Sequence, residues 1–363
     1  MKVALLHYDF KPYAVSLANG LADKVDLTII HPEKLSADCD GATDDRVNIY
    51  NFQKPRARSI KNLKVVRQLF QHIRDLKPDI LHVQATCDPW FDIALLYDHL
   101  PPMVTTVHDV FSHPGDRFRV PGSSYTNCIP YYRSKHLIVH ALPLKNQLQQ
   151  YFNRPSDQIS ILQHGELGNF YRHWSDDKPV EREANTLLFF GRIWPYKGLR
   201  YLIGAMPLIA EVIPDVKLII AGRGENLQQH FPNGVDPNRY EILDRYIAQS
   251  EVAALFQRSA VTVLPYVEAS QSGVAALSYG FGVPVIASRV GALSDMIRDE
   301  QDGLLVQPCD ARALAEAIIR FLKDAGMQGR MRAAALVRCQ ADLNWSTIAA
   351  ETVQVYQHVL GQR

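Results

Sequence analysis

The chain of 363 residues contains 39 basic and 38 acidic side chains, which gives a formal net charge of +1. This balance provides no overall positive field, so nucleic acid is not expected as a partner. A single hydrophobic core rarely exceeds about 250–300 residues, and the length therefore predicts two domains. The five cysteines are widely separated and include no C-x-x-C pair, a pattern typical of reduced thiols.

The apolar segments of the sequence are short. None reaches the roughly 18 residues that a membrane-spanning helix needs. Met1–His7 lacks the small-residue cleavage site of a signal peptide, so it is predicted to be a first strand. We therefore expect a cytoplasmic protein.

Short apolar runs alternate with helical patterns along the chain. Seven strands are predicted between Val3 and Gln163, and six more between Leu187 and Val306. Such alternation predicts an α/β fold of parallel sheets with helices on both faces. We expect two doubly wound, Rossmann-like domains that face a central cleft, because ligands of such sheets bind beyond the carboxyl ends of the strands.

The predicted domain boundaries follow from the polar stretch Leu167–Asn185, which is interpreted as a linker. Residues 1–166 then form an N-terminal domain, and residues 186–344 form a C-terminal domain. The apolar pattern of Trp345–Leu360 predicts a terminal helix within residues 345–363.

The segment Lys54–Arg67 carries six cations and no acidic residue, and it leads into an amphipathic helix. This layout suits peripheral contact with anionic lipid or with a phosphorylated acceptor. An ordinary solvated helix face fits the same pattern. The predicted apolar stripe of the helix contains Leu63, Val66, Leu69, Phe70, Ile73 and Leu76.

The segment Thr106–Asp109 ends a predicted strand with a histidine and a carboxylate. A neutral His108 imidazole at that position can hydrogen-bond a ligand hydroxyl or relay a proton, although a purely structural histidine fits equally. His113 follows, but the spacing is not that of H-E-x-x-H and no third ligand is evident. We therefore expect no metal here.

The segment Leu187–Arg200 reads L-L-F-F-G-R-I-W-P-Y-K-G-L-R, which predicts a strand, a turn and the start of a helix. The turn carries Arg192 and Lys197, and its glycines allow a close backbone approach. An arginine grips two oxygens at once and a lysine acts as a point charge, so the pair suits a diphosphate. A solvated loop with ordinary surface charge is the alternative.

The segment Val261–Gly280 predicts a buried strand, a turn and a small-residue helix that begins at Ser272-Gly273. The N–H groups of the first helical turn form an anion site with positive dipole character, which a phosphate fits. Glu268 is the one carboxylate of the turn. It suits sugar hydroxyls as a hydrogen-bond acceptor, and a simple helix-entry carboxylate is the alternative.

Five motifs in order resemble the C-terminal half of retaining glycosyltransferase family 4. They are G-R-x-x-x-x-K-G from Gly191, A-G-R-G-E from Ala221, P-Y-x-E-A-S-Q-S-G from Pro265, G-V-P-V-I-A-S from Gly282 and D-G-L-L-V from Asp302. The resemblance is close over residues 186–325, and in the N-terminal half it rests on T-V-H-D and the general rhythm of strands and helices. It implies a GT-B fold whose terminal helix crosses back to the first domain.

The resemblance also implies roles for individual residues. Arg192 and Lys197 would hold the donor diphosphate, Glu268 would contact the transferred sugar, and His108 would lie near that sugar. The predicted catalytic residues are thus His108, Arg192, Lys197 and Glu268. The predicted donor site is Arg192, Lys197, Gly224, Glu268, Ser270, Gln271, Ser272 and Gly273, and the acceptor side is His108, Asp109 and His164.

The sequence departs from the family pattern in two places. The second glutamate of the family, which binds the donor ribose, falls on Ala276. The first strand–helix loop, Tyr8–Tyr13, lacks the paired glycines often found there, which suggests a bulkier acceptor-side wall. Asp38-Cys39-Asp40 matches the D-x-D by which a different fold, GT-A, holds a divalent ion, but it lies far in sequence from the diphosphate cations.

We therefore predict an enzyme that transfers a sugar, with retention, from a nucleotide diphosphate sugar to a hydroxyl of a saccharide or a lipid-linked glycan. It needs no metal and no cofactor besides the donor. A GT-B-fold sugar-nucleotide epimerase is one alternative, but it would require catalytic carboxylates that the sequence does not supply in an evident place. A non-catalytic sugar-nucleotide-binding protein is permitted by Ala276 and disfavoured by Arg192, Lys197 and Glu268.

Overall fold

The computed structural model describes residues 1–84, 88–111, 123–176, 180–231 and 236–361. These residues form two compact units. The first contains the described residues of Met1–Val110, Arg117–Gly165 and Asn344–Arg363. The second contains those of Phe111–Asp116 and Glu166–Leu343.

A parallel sheet of seven strands lies at the centre of the first unit, in the order β3-β2-β1-β4-β5-β6-β7. The strands are β1 (Lys2–Leu6), β2 (Asp26–Pro32), β3 (Asn48–Phe52), β4 (Ile80–Gln84), β5 (Met103–Thr106), β6 (His136–Val139) and β7 (Ile159–Ile161). Every residue of β4 is buried, as is all of β1 after Lys2. Burial on both faces explains why these central strands read as continuous apolar runs.

The helices of the first unit cover this sheet. They are α1 (Lys11–Leu21), α2 (Ser36–Cys39), α3 (Lys61–Leu76), α4 (Pro89–Ala94), α5 (Ser123–Thr126), α6 (Ile129–Arg133), α7 (Leu142–Phe152) and, at the C-terminus, α15 (Trp345–Gly361). Helix α15 packs against α1, and the Nδ1 atom of His82 on β4 lies 2.6 Å from the hydroxyl of Tyr356 on α15. The C-terminal helix therefore belongs to the first unit.

The second unit contains a parallel sheet of six strands in the order β10-β9-β8-β11-β12-β13. The strands are β8 (Thr186–Phe190), β9 (Lys217–Gly222), β10 (Tyr240–Asp244), β11 (Val261–Leu264), β12 (Val285–Ser288) and β13 (Gly303–Val306). In both sheets the order reverses beside the first strand of the unit. Such a reversal opens a crevice at the carboxyl ends of the strands, where ligands of doubly wound folds bind.

The helices of the second unit are α8 (Gly168–Arg172), α9 (Leu199–Val212), α10 (Gln249–Arg258), α11 (Gly273–Gly280), α12 (Leu293–Met296), α13 (Ala311–Lys323) and α14 (Ala325–Gln340). Helix α8 lies inside the stretch 167–185 that the sequence suggests as a linker. It packs on α10 and α11, and the backbone of Gly168 lies directly against that of Gly280. The stretch thus differs from a free linker, since its first part is held by the second unit. Residues 177–179 of this stretch lie outside the described residues.

The two parallel, doubly wound sheets confirm the predicted fold class. The predicted strands all appear, and their ends shift by at most two residues. One detail of α3 differs from the prediction: Leu63 points to solvent with 58% of its surface exposed, whereas Val66, Leu69, Phe70 and Ile73 are buried. Among the described residues, no helix combines the length and the apolar composition needed to cross a bilayer.

Candidate functional site

The two sequence segments that carry the diphosphate motifs are neighbours in the second unit. Strands β8 and β11 pair in parallel, with Val261 opposite Leu187. The turn after β8 and the loop after β11 therefore emerge at the same edge of the sheet. They are joined there by a backbone hydrogen bond of 2.7 Å, in which the N–H of Val267 donates to the carbonyl of Tyr196.

Gly198 fixes the contact between the turn and the loop. Its φ of +66° lies in the left-handed region, which costs a residue with a Cβ atom roughly 1–2 kcal/mol. A Cβ atom at this position would lie 1.8 Å from the carbonyl oxygen of Pro265. Only glycine fits, and its absence of a side chain lets Lys197 lie close to the β11 loop.

Two tyrosines support the two cations. The Arg192 guanidinium is exposed, and its Nη2 donates to the hydroxyl of Tyr196 at 3.3 Å. The Lys197 ammonium lies 3.8 Å from the centre of the Tyr266 ring and 5.1 Å from that of Tyr196. The π face attracts the cation without using its three N–H donors. Both positive charges are thus held at the same turn.

Helix α11 begins beside these cations, in the loop that follows β11. Ser272 is its N-cap, and the Ser272 hydroxyl accepts a hydrogen bond of 3.3 Å from the N–H of Ala275. The same hydroxyl lies 3.5 Å from that of Tyr266. The positive end of the helix dipole therefore points out of the loop at Ser272-Gly273, where it favours an anion.

The remaining residues of the predicted donor loop lie between β11 and α11. Glu268 is exposed, and Ser270 and Gln271 are half-buried. The Oε1 atom of Gln271 is buried without a hydrogen-bond partner in the described part of the chain. Gly291, after β12, has a φ of +46°, and a Cβ there would meet the carbonyl oxygen of Ala269 at 1.8 Å.

Gly291 was missed by the sequence reasoning. The signal that could have revealed it is a glycine four residues beyond the predicted strand end at Ala287, at the sheet edge that carries the other motifs. Tyr196 and Tyr266 were missed for a different reason. Aromatic residues beside a buried strand are usually core residues, and only the structure shows a cation above the ring.

Gly224 lies on the loop after β9, next to the same turn. The N–H of Ile193 donates to Arg223 at 3.1 Å, and the N–H of Glu225 donates to Ile193 at 2.8 Å. These two hydrogen bonds connect the loop after β9 to the turn after β8. A cavity of about 450 Å³ opens beside them, and it is lined by Arg223, Gly224, Glu225, Asn226, Asp244, Arg245 and Tyr246.

Two other residues of the motifs, Ala276 and Asp302, are buried in the interior of the second unit. Ala276 is fully buried within α11. Asp302, which begins D-G-L-L-V, is also buried, and it accepts hydrogen bonds from Tyr279 at 2.7 Å and from Arg338 at 2.8 Å. Because this buried acid joins α11 to α14, the motif stabilises the helix whose N-terminus faces the candidate anion site.

The predicted residues of the first unit lie in a separate aromatic cluster. His108 is 1% exposed. The Phe10 ring stacks on its imidazole at 4.3 Å with an interplanar angle of 17°, and the Tyr13 ring meets it edge-on at 4.7 Å. Its Nε2 lies 3.2 Å from Gln84 Oε1, while its buried Nδ1 has no hydrogen-bond partner in the part of the chain described.

Burial sets the protonation of this cluster. Desolvation, reinforced by the neighbouring His140 and His164, holds the pKa of His108 well below its ordinary value. Desolvation also lowers the pKa of His140 to about 3 and that of His164 to about 4. All three imidazoles are therefore neutral at pH 7, and the bare Nδ1 of His108 is a hydrogen-bond acceptor.

The other residues predicted for the acceptor side lie around His108. The ring centres of His164 and His108 are 6.3 Å apart, and Nδ1 of His164 donates to the carbonyl of Gly165 at 2.9 Å. Asp109 is half-buried, and its backbone carbonyl accepts from the Tyr131 hydroxyl at 3.2 Å. His113 lies outside the described residues.

Two family models match this chain. One, described as "Glycosyl transferases group 1", matches residues 184–324. The other, described as "Glycosyl transferase 4-like", matches residues 2–141. Together they cover most of both units. The chain belongs to the glycosyltransferases of the family 4 type.

Curated relatives agree with this assignment to glycosyltransferase family 4. An uncharacterised glycosyltransferase of Methanocaldococcus jannaschii is 28% identical over 241 residues, which cover 62% of this chain and 60% of the relative. Glycogen synthase of Mycobacterium tuberculosis is 27% identical over 295 residues, covering 78% and 69%. Phosphatidyl-myo-inositol mannosyltransferase of Mycobacterium leprae is 32% identical over 181 residues, covering 49% and 48%. The matched part of the chain thus spans about half to two thirds of the length of these relatives.

Solved structures of glycosyltransferases share the fold over the whole chain. Sucrose-phosphate synthase of Thermosynechococcus elongatus has a TM-score of 0.74 at 20% identity and covers 100% of both chains. The Anabaena protein HepE, solved with UDP-glucose, has a TM-score of 0.73 at 16% identity and covers 98% of this chain and 99% of its own. At these identities the likeness establishes the GT-B fold alone.

Proposed function

We propose that this protein transfers a hexose from a nucleoside diphosphate sugar to a hydroxyl acceptor and retains the configuration at the anomeric carbon. The observation that carries the proposal is the arrangement at the edge of the second sheet. There the Arg192–Gly198 turn is locked against the loop that leads into α11. Two cations and the positive end of a helix dipole thus converge where a diphosphate would bind.

These groups suit the departure of a nucleoside diphosphate. Cleavage of the bond to the sugar leaves negative charge on the diphosphate, and charges aimed at that position stabilise the transition state more than the bound donor. Arg192 is positioned to grip two oxygens, Lys197 adds a point charge, and the N–H groups near Gly273 add dipole character. A divalent ion would duplicate what these groups supply.

The neighbouring features suit the rest of the donor. Glu268 lies on the exposed part of the loop before α11 and is proposed to accept hydrogen bonds from sugar hydroxyls. The cavity between the β9 and β10 loops, with Asp244 and Tyr246 in its wall, is proposed to take the nucleoside. His108 is proposed to act on the acceptor side, where access to it requires movement of the Phe10 ring.

The relatives support this donor class. HepE was solved with UDP-glucose, and two of the curated relatives are named as a glycogen synthase and a mannosyltransferase. The resemblance to family 4 supports the proposal that configuration is retained. The acceptor proposed here is a saccharide or a lipid-linked glycan. The names of these two relatives indicate a saccharide and a lipid-linked acceptor, respectively.

A panel of nucleotide sugars tests the proposal. Each of several UDP, ADP and GDP hexoses is incubated with the full chain and mixed saccharide acceptors, and release of the nucleoside diphosphate and formation of product are measured. The anomer of the product is read by nuclear magnetic resonance. We expect transfer from at least one donor with retention. Inversion would refute the stereochemistry, and binding without any transfer or hydrolysis would favour the non-catalytic alternative.

A second proposal concerns the surface at the start of α3. Lys54 does not belong to it, because its ammonium lies 2.8 Å from the buried carboxylate of Asp88. Two apolar side chains are strongly exposed there, Ile60 at 74% and Leu63 at 58%. The exposed cations around them are Arg56, Arg58, Lys61, Lys64 and Arg67. We propose that this patch contacts an anionic membrane surface.

Vesicle sedimentation tests this contact. The chain is expected to co-sediment with vesicles containing phosphatidylglycerol, to be released by salt, and to stay in solution with phosphatidylcholine alone. The doubly substituted variant Ile60→Ser, Leu63→Ser should bind more weakly. A matched control is Tyr97→Ser, because Tyr97 is 84% exposed and lies outside the patch. Equal binding by both variants would refute the proposal.

A further inference from the structure

A buried group of three metal-ligand side chains lies in the first unit at the carboxyl edge of its sheet. Strands β1 and β2 pair with Leu6 opposite Ile30, so the next residues, His7 and His31, lie side by side. Their ring centres are 5.2 Å apart. Cys39, the last residue of α2, completes the group, and all three side chains are fully buried.

The hydrogen bonds of the two histidines leave one nitrogen of each available. Nδ1 of His7 lies 3.0 Å from the carbonyl oxygen of Asp9, and Nδ1 of His31 lies 3.4 Å from that of Pro32. A carbonyl oxygen only accepts, so the Nδ1 of His7 carries the hydrogen, and the Nδ1 of His31 carries it in the tautomer that donates to Pro32. In neutral imidazoles the Nε2 atoms then hold a bare lone pair. Metal-binding histidines usually donate their other ring N–H to a carbonyl or a carboxylate in this way.

The two Nε2 atoms lie in a buried space near the Cys39 sulfur and the Asp40 carboxylate. Both are buried without a hydrogen-bond partner among the described residues, and one ring nitrogen of each histidine and the Cys39 sulfur all lie within 4.8 Å of one another. Asp40 Oδ1 also lies close, 3.2 Å from His31 Nε2. Lone pairs that converge in a buried space cost free energy unless a proton or a cation joins them.

We propose that His7, His31 and Cys39 bind one zinc ion through two Nε2 atoms and a thiolate. Imidazole nitrogens, thiolates and carboxylate oxygens are all zinc ligands, and the ligand atoms of a tetrahedral zinc site lie roughly 3.4–3.7 Å apart. A bound zinc ion would draw the three ligand atoms, which lie within 4.8 Å of one another, to that spacing. Asp40 is the fourth ligand, oriented by Asn51, whose Nδ2 donates to the other carboxylate oxygen at 3.2 Å.

Metal binding changes the protonation of Cys39, because the metal ligand is the thiolate and not the thiol. Zinc replaces the thiol proton, which passes to solvent. Lys11, the nearest cation, is paired with Asp38.

The role of the ion is structural. His7 opens the loop that contains Phe10, and Cys39 ends the short helix α2 beside it, so one zinc ion would tie both to the sheet. The proposal is independent of the donor site, which lies in the second unit.

Elemental analysis of the untagged, full chain tests the proposal. After gel filtration through buffer with a weak chelator, we expect about one zinc ion per chain in the wild type. Cys39→Ser and His31→Gln should lose it. Cys309→Ser and His99→Gln, which change an exposed cysteine and an exposed histidine, should retain it. Equal zinc content in Cys39→Ser and the wild type would overturn the assignment.

A cobalt spectrum of the wild-type chain provides a test that needs no variant to fold. Cobalt in a tetrahedral site with a thiolate gives a sulfur-to-cobalt charge-transfer band and intense visible bands. We expect both when the metal-free chain is titrated with cobalt, and we expect zinc to abolish them. If the chain folds but shows no charge-transfer band, the proposal is wrong.

Discussion

The ammonium group of Lys197 lies 3.8 Å from the centre of the Tyr266 ring. The ring belongs to the loop after β11, and the lysine belongs to the turn after β8. The contact therefore places a positive charge at the junction of the two segments on which the proposed diphosphate site depends. Its three N–H donors remain suited to phosphate oxygens.

Gly198→Ala should damage the site without removing any charge. The new Cβ would overlap the carbonyl oxygen of Pro265 and would place alanine at a φ of +66°. We expect Tm to fall by at least about 2–4 °C and the affinity for a nucleoside diphosphate to weaken. Gly204→Ala is the matched control, because its Cβ would make only an ordinary contact at 3.6 Å. A Gly198→Ala variant with unchanged Tm and affinity would contradict the description of this turn.

Glu268→Gln should separate sugar contacts from nucleotide contacts. The amide keeps the shape of the side chain and removes its charge, so hydrogen bonds from sugar hydroxyls to it weaken. We expect the rate of transfer at saturating donor to fall strongly and the affinity for the free nucleoside diphosphate to stay within a few-fold. Calorimetry and initial rates measure the two quantities. Loss of nucleotide affinity with an unchanged transfer rate would instead assign Glu268 to the ribose.

A 2′-deoxy donor tests the consequence of Ala276. A carboxylate that loses a hydroxyl partner costs about 1.5–3 kcal/mol, and no carboxylate is present at this position. We therefore expect the apparent affinity for the deoxy donor to fall by less than about tenfold. A larger loss would show that another charged acceptor, such as Glu225, contacts the ribose.

Turnover should not require added magnesium or manganese, because Arg192, Lys197 and the N-terminus of α11 are proposed to neutralise the charge of the diphosphate. A brief treatment with EDTA is expected to leave the rate unchanged, provided that the zinc content of the same sample is unchanged. If EDTA stops turnover and magnesium or manganese restores it, a divalent ion binds the donor, and Asp38 and Asp40 need to be reconsidered.

The sequence predicted the fold well because its signals are local. Apolar runs mark each buried strand, and the alternation with helices leads directly to parallel sheets. The role of the stretch 167–185 was harder to predict. Its polar composition resembles a linker, whereas the close contact of Gly168 with Gly280 depends on a surface formed far along the chain.

The candidate site was predicted in part. Arg192, Lys197 and the start of α11 are recognisable because each follows a strand at a characteristic spacing. The burial of His108 under Phe10 was not predictable, since Phe10 adopts a left-handed conformation at φ +58° that few non-glycine residues favour. His7, His31 and Cys39 come from three different elements, so no local spacing marks the metal-ligand group.

Calorimetric titration of a nucleoside diphosphate into the Arg192→Ala and Lys197→Ala variants tests the central claim most directly. Each substitution removes a proposed charged hydrogen bond to the diphosphate, so each should weaken binding by about 1.5–3 kcal/mol. Arg200→Ala is the control, because it removes an exposed arginine from the adjoining helix. We predict that both site variants lose affinity while Arg200→Ala keeps that of the wild type. Unchanged affinity in both site variants would contradict the assignment of the donor site.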